Sequence, residues 1–155
     1  MVLQTGRYLL QADERGMIRS SLMWRVALAM AAALAEAAAD TVASEIGQTR
    51  GRTAVLITTW EAVPAGTDGG ITFPGTVAGA AAALAIASVC VFGRLLPVTR
   101  LWLPAAAGFA GMLTDSVLGA ACERHGWINN EGVNFLSTLT AAGLAYALFP
   151  ALPPA

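Results

Sequence analysis

Lysine is absent from the 155 residues, and all nine basic side chains are arginines. That excludes a Walker A loop, whose lysine reaches the β/γ-phosphates, and it excludes Schiff-base chemistry. Charge of either sign is scarce, at 12% of residues with a net charge of -1, so no basic surface is offered to nucleic acid. The two cysteines, Cys90 and Cys122, lie in or beside apolar runs without metal-ligand spacing and read as small buried residues. His125, the one histidine, falls in a polar connection and reads as a solvated loop residue. The positive, apolar and small-residue order of a secretory leader is missing from residues 1–21, where Gln4, Arg7, Gln11, Asp13, Glu14, Arg15 and Arg19 break up short apolar pieces. This segment is expected to be polar or interfacial and of low order.

What remains is hydrophobic: 56% of residues, with a mean hydropathy of +0.62, which points to a bilayer as solvent. The expected fold is an all-α polytopic membrane protein in one compact unit. Its helical domain is expected over 22–150, with spans at about 22–47, 75–92, 104–122 and 132–149, each near the ~20 residues that cross a core of about 30 Å. Residues 151–155 form a tail. Residues 53–60 are β-prone but too short to span as a helix, so they are expected to be extended or interfacial.

Acids inside these apolar runs are the first functional signal, because a carboxylate at mid-membrane costs roughly 2.5–3.5 kcal/mol on the insertion scale. Four-residue spacing puts Glu36, Asp40 and Ser44 on one helical face. Glu45 falls elsewhere on the wheel, and joins Asp40 only if the helix loosens between Ser44 and Gly47. The 64–76 segment follows, with Gly66, Gly69, Gly70 and Gly75 interleaved with Thr67, Thr72 and Thr76. Glycines let backbone N–H groups converge on an anion, and the segment leads into a helix N-terminus, so it suits phosphate; by itself a Gly-rich loop is more often a turn.

Gly75, Gly79, Ala83 and Ala87 make a small-residue stripe whose first explanation is close helix packing. Gly108, Gly111, Asp115 and Gly119 share a face of the next span, so Asp115 is pressed against a neighbour and wants a metal, an arginine or a proton. Asn129, Asn130 and Asn134 gather at the start of the last span, where interhelical hydrogen bonding alone explains Asn134. With four sequential spans, the end of the first, the Gly/Thr segment, the end of the third and the start of the fourth share one side of the membrane. Asp40, Glu45, the loop, Asp115 and the asparagines then face a common chamber.

Four ordered stretches carry a resemblance: Ala-Asp-Thr-Val-Ala-Ser-Glu-Ile-Gly (39–47), Pro-Ala-Gly-Thr-Asp-Gly-Gly-Ile-Thr with Gly-Thr (64–72, 75–76), Gly-Met-Leu-Thr-Asp-Ser-Val-Leu-Gly-Ala (111–120) and Asn-Asn-Glu-Gly-Val-Asn-Phe-Leu (129–136). Over about residues 30–148 the chain resembles the integral membrane family called domain of unknown function 92, which takes in transmembrane protein 19-like proteins and plant phytyl-phosphate kinases. The resemblance implies a kinase that converts a prenyl monophosphate to the diphosphate, with CTP as donor and Mg²⁺ as cofactor. Asp40, Glu45 and Asp115 are then the expected metal-holding and catalytic acids. Gly66, Thr67, Gly69, Gly70, Thr72, Gly75 and Thr76 are the expected phosphate cradle, and Ser44, Ser116, Asn129, Asn130 and Asn134 the expected substrate contacts. Arg50, Arg52 or Arg124 would neutralise charge. Family members generally carry further helices before this region, so the expected partners include, besides the bilayer, a prenyl phosphate and a nucleotide, a second copy or another protein that supplies them.

Two other function classes fit the same residues. A small transporter or channel would use Glu36, Asp40 and Asp115 as ion or proton sites, and a non-catalytic membrane subunit would use none of them. The Gly/Thr segment favours the kinase, since an ion pathway has no need of a phosphate cradle. The expected location is the cell membrane. Arg7, Arg15, Arg19, Arg25, Arg94 and Arg100 lie opposite the chamber against Arg50, Arg52 and Arg124 beside it, so the positive-inside rule places the chamber outside, whereas a nucleotide donor requires the cytosol.

Overall fold

The computed structural model describes residues 2–50 and 53–149, with side chains described from Leu22 onward. Helix α1 spans Val2–Arg50, α2 Phe73–Phe92, α3 Trp102–Ala121 and α4 Asn130–Leu148. Between α1 and α2 lie three short strands, β1 (Thr53–Leu56), β2 (Ala62–Pro64) and β3 (Gly70–Ile71). Single 3₁₀ turns at Val98–Arg100 and Glu123–His125 lead into α3 and out of it. The bounds of α1 take in residues 2–21, where the sequence suggests low order; the side chains of that segment, Arg52 and the tail lie outside the described residues.

The protein is an all-α polytopic membrane protein. Among the described residues, three helical stretches are long and apolar enough to cross a bilayer: Leu22–Arg50, Phe73–Phe92 and Val98–His125. Helix α4 is long enough but falls below them in hydropathy, because Asn130, Glu131, Asn134, Ser137, Thr138 and Thr140 interrupt its apolar face. The fourth element expected from sequence is therefore present as a helix, without the composition of an independent span.

Helix α1 packs against α2, α3 and α4. Its 22–46 stretch is Ala-rich and free of Gly and Pro, which favours an uninterrupted helix. The helix continues unbroken through Ser44, Gly47 and on to Arg50, so the loosening that would bring Glu45 beside Asp40 does not occur. Gly47 instead permits a close crossing with the start of α2: a Cβ there would lie 3.0 Å from Thr72 Oγ1. The stripe on α2 behaves as packing predicts, since Gly75, Gly79, Ala83 and Ala87, with Cys90, are its buried residues.

The bundle is layered along its length. At one end Leu28, Ala31, Ala32, Cys90, Leu96, Leu103, Ala107, Ala141 and Ala145 form an apolar cluster. The Arg25 and Arg100 guanidinium groups sit 5.7 and 5.5 Å from the Phe149 ring, and Arg25 Nη1 donates to the Tyr146 carbonyl at 3.4 Å, placing positive charge where the last carbonyls of α4 emerge. A second apolar layer joins Ala35, Ala39, Ala83 and Met112. Beyond it the polar residues of α1, α3 and α4 open towards the strands.

Those strands form an antiparallel sheet in the order β2-β1-β3, with Thr53 opposite Pro64 and Val55 opposite Ile71. Of the 53–60 segment expected to be extended, only Thr53–Leu56 is, since residues 57–59 form a turn and Trp60 has a φ of +61°; the Gly/Thr segment, in contrast, is more ordered than a loop. It begins in β2, passes through a turn closed by Gly70 N–H donating to Thr67 O at 2.8 Å, and joins the other edge of β1 as β3, running in the same direction as β2. Thr72 then caps α2, its Oγ1 accepting from Gly75 N–H at 3.1 Å, with Pro74 in the first turn.

Candidate functional site

A cavity of about 340 Å³ lies where the end of α1, the sheet, the start of α2, the end of α3 and the start of α4 meet. Asp40, Ser44 and Gln48 reach it from one face of α1, four residues apart. Asp115, Ser116 and Glu123 reach it from α3 and the turn beyond, Asn130 and Asn134 from α4, and Asp68 from the β2–β3 turn. From Arg25 to Asp40 the helix rises about 22 Å at roughly 1.5 Å per residue, so the cavity lies well along α1 from the Arg25 end of the bundle.

Most of the expected residues converge here. Asp40, Asp115, Ser44, Ser116, Asn130 and Asn134 line the cavity together with Gly66, Thr67, Gly69, Gly70, Thr72, Gly75 and Thr76. Glu45 does not: it is exposed on another face of α1, as an intact helix requires. Asn129 is also outside the lining, its Oδ1 accepting from Gly132 N–H at 3.0 Å as the N-cap of α4. Arg50 and Arg124 are absent from the lining, and Arg52 lies outside the described residues. Asp68 and Glu123, which the sequence reading passes over, bring the lining acids among the described residues to four, with no described arginine or histidine beside them.

The turn offers fewer free donors than its composition suggests. The N–H groups of Thr67, Gly70, Gly75 and Thr76 are engaged by Pro64 O, Thr67 O, Thr72 Oγ1 and Thr72 O, at 2.8–3.2 Å. Thr67 Oγ1 donates to Pro64 O at 2.7 Å. Among the described residues no hydrogen bond occupies the N–H groups of Asp68 and Gly69 at the tip. Gly69 is fixed there twice over. Its φ of +74° suits glycine, and an added Cβ would lie 2.3 Å from the Ala120 nitrogen, so the tip is seated directly on α3.

Behind the cavity, α1, α3 and α4 are joined by hydroxyl groups. Ser137 Oγ lies 2.8 Å from Glu36 Oε1 and 3.1 Å from Asp115 Oδ2, and Thr138 Oγ1 donates to Glu36 Oε2. Glu36 is 2% exposed and Ser137 fully buried. The interhelical bonding expected of Asn134 is thus made one turn further on, by Ser137 and Thr138.

The lining donors are carboxylate, amide, hydroxyl and carbonyl oxygens, the ligands of a hard divalent cation. Among the described residues no three His, Cys, Asp or Glu side chains converge as a preformed metal cage.

The profile of the family described as integral membrane protein DUF92 matches residues 2–142. An uncharacterised membrane protein of Synechocystis sp. is 35% identical over 127 residues, covering 81% of this chain and 49% of that protein. An uncharacterised membrane protein of Methanocaldococcus jannaschii is 40% identical over 112 residues, covering 71% and 46%. Protein VTE6, chloroplastic, of Arabidopsis thaliana is 39% identical over 102 residues, covering 63% and 30%. The chain therefore spans about half the length, or less, of these curated relatives. No solved structure matches it. With four helices in the expected order and the family profile reaching from α1 into α4, the chain belongs to the integral membrane protein family DUF92.

Proposed function

We propose that the cavity is the phosphoryl-transfer site of a membrane-embedded prenyl-phosphate kinase. The observation that carries this reading is the meeting of Asp40 and Asp115, from two helices long and apolar enough to cross a membrane, with the Gly/Thr turn around one cavity. The resemblance to a family that takes in plant phytyl-phosphate kinases supports a phytyl- or geranylgeranyl-type phosphate as acceptor, and CTP is the donor we propose.

A phosphate monoester is already an anionic nucleophile, so the protein needs no strong general base. Its oxygen attacks the donor's terminal phosphorus, the bond from that phosphorus to the bridging oxygen breaks, and a diphosphate and a nucleoside diphosphate leave. The residues have to align two polyanions and tolerate their charge. Asp40 and Asp115 would hold Mg²⁺, which when bound neutralises the triphosphate and orients it. Asn130, Asn134, Ser44 and Ser116 supply neutral donors for acceptor-phosphate oxygens, and among the described residues the Asp68 and Gly69 N–H groups of the turn are without a hydrogen-bond partner. The apolar outer faces of α1 to α3 keep the prenyl tail in lipid.

The test is transfer of label from terminally labelled CTP to phytyl and geranylgeranyl phosphate, by the purified chain in nanodiscs beside a full-length relative. Mg²⁺-dependent formation of the labelled diphosphate is the expected result. If neither protein binds CTP with Mg²⁺, the kinase reading fails. The buried Glu36 keeps one rival in view, an ion or proton pathway through α1, α3 and α4. Ion flux in proteoliposomes without nucleotide would favour that rival.

A further inference from the structure

All four tryptophans of the chain are exposed, between 40% and 74%. They stand at the two ends of the bundle and nowhere between. Trp24 on α1 and Trp102 at the start of α3 lie at the Arg25 end, where the exposed Phe92 closes α2. Trp60, Phe73 and Trp127 lie at the cavity end, in the β1–β2 turn, at the start of α2 and in the connection from α3 to α4. The 20 residues of α2 that Phe73 and Phe92 bracket rise roughly 30 Å at about 1.5 Å per residue, the thickness of a bilayer's hydrocarbon core.

Trp60 is the least comfortable of the four. Its φ of +61° falls in the left-handed region, which a bulky side chain rarely adopts and a glycine would take freely. Its backbone N–H closes the turn on Leu56 O at 2.8 Å, but among the described residues no hydrogen bond engages the indole N–H and no ring stacks on the indole. The strand beneath it does not project away from the bundle. Ala54 and Leu56 of β1 are buried, and Ile57 N–H donates at 3.2 Å to the carbonyl of Gly69, which is itself seated on Ala120 of α3. The sheet therefore lies across the bundle end from α1 to α3, and Trp60 stands in the turn where it reaches α3.

An indole joins an apolar ring to an N–H donor, and the layer between hydrocarbon and water satisfies both at once. We infer that Trp60, Phe73 and Trp127 insert into the headgroup layer of a phospholipid bilayer and hold the three-stranded sheet against it. The sheet is then a membrane-surface element and not an aqueous domain. Lipid is the occupant because the three rings come from separate connections around the bundle end, not from one patch, and because they continue the exposed apolar faces of α2 and α3, where Val77 and Val117 also point outward. The cavity then opens within the headgroup layer, with Asp115, six residues before the end of α3, about 9 Å deeper.

The test uses chains that keep Trp60 alone or Trp127 alone, the other three tryptophans being replaced by Phe. They are placed in nanodiscs of phosphatidylcholine brominated either near the carbonyl end or near the methyl end of its acyl chains. Each tryptophan should lose about half of its emission to the shallow bromines and much less to the deep ones, as an interfacial ring does, and aqueous iodide should quench it little. If iodide quenches Trp60 and neither lipid does, the sheet stands in water and the inference is overturned. It is equally overturned if no quencher reaches the ring, which a second copy or another protein then covers, or if the deep bromines quench more than the shallow ones. Should the triply substituted chain fail to insert, the emission lost between wild type and Trp60→Phe in the same nanodiscs reads the same residue. The readout needs neither nucleotide nor prenyl phosphate, so its outcome is independent of the kinase reading.

Discussion

Gly69 at the tip of the β2–β3 turn and Ala120 near the end of α3 are in backbone contact, so close that a Cβ on Gly69 would meet the Ala120 nitrogen at 2.3 Å. The contact ties the sheet to the helix that carries Asp115, and the cavity between them owes its shape to it.

Gly66 and Gly69 therefore separate conformation from contact. Both have positive φ, but a Cβ on Gly66 would meet only the Gln48 side chain, at 3.5 Å. Gly66→Ala should destabilise by about 1–2 kcal/mol for the left-handed backbone alone. Gly69→Ala should add a further 1–3 kcal/mol, roughly, of overpacking against α3. Thermal unfolding in detergent checks this; equal losses would mean that the tip is not seated on Ala120.

The Asp40→Asn and Asp115→Asn proteins should insert normally and lose about tenfold or more of Mg²⁺-dependent CTP affinity, the amide replacing an anionic metal ligand by a neutral one. Glu45→Gln, on the exposed face of α1, should keep wild-type affinity. Equilibrium dialysis with labelled CTP measures all three. Wild-type affinity in both aspartate variants would remove them from the site.

Among the described residues four acids line the cavity and no arginine or histidine does, so a triphosphate entering alone meets charge of its own sign. CTP binding should vanish on chelation of divalent cations and return with Mg²⁺. Undiminished binding in excess EDTA would show that other groups neutralise the phosphates.

Gly108 tests the crossing of α1 and α3. A Cβ there would lie 2.7 Å from Ala35 Cβ and 2.9 Å from the Glu36 nitrogen, whereas nothing lies within 4 Å of one on Gly143. Gly108→Ala should destabilise by about 1–3 kcal/mol. Gly143→Ala should stabilise by up to about 1 kcal/mol through helix propensity. Unfolding midpoints of the two proteins should move in opposite directions, and a neutral Gly108→Ala would mean a looser crossing than the structure has.

The parts of this arrangement that sequence makes legible are those carried by rare residues in an unsuitable solvent. Asp40 and Asp115 stand out because an acid in an apolar run demands a reason, and sequential spans bring them to one side. Glu45 looks the same on paper, and only the unbroken helix separates it from Asp40. Ser137 could not be picked out, since a serine in a membrane helix commonly bonds its own backbone, and its partner Glu36 is 101 residues away. Asp68 and Glu123 sit among other polar turn residues with nothing to distinguish them. Strands of two to four residues are too short to give a periodic signal, which hid the sheet inside a glycine-rich stretch.

The shortfall of α4 in hydropathy bears on how the chain is built into a membrane. Asn134, Ser137 and Thr138 enter the bilayer at a penalty unless partners are waiting, and for Ser137 and Thr138 the partner is Glu36, on a helix synthesised about a hundred residues earlier. Insertion of the last helix is then coupled to tertiary assembly: α1 and α3 must dock before α4 can settle, and Glu36 itself stays exposed to quality control until it does.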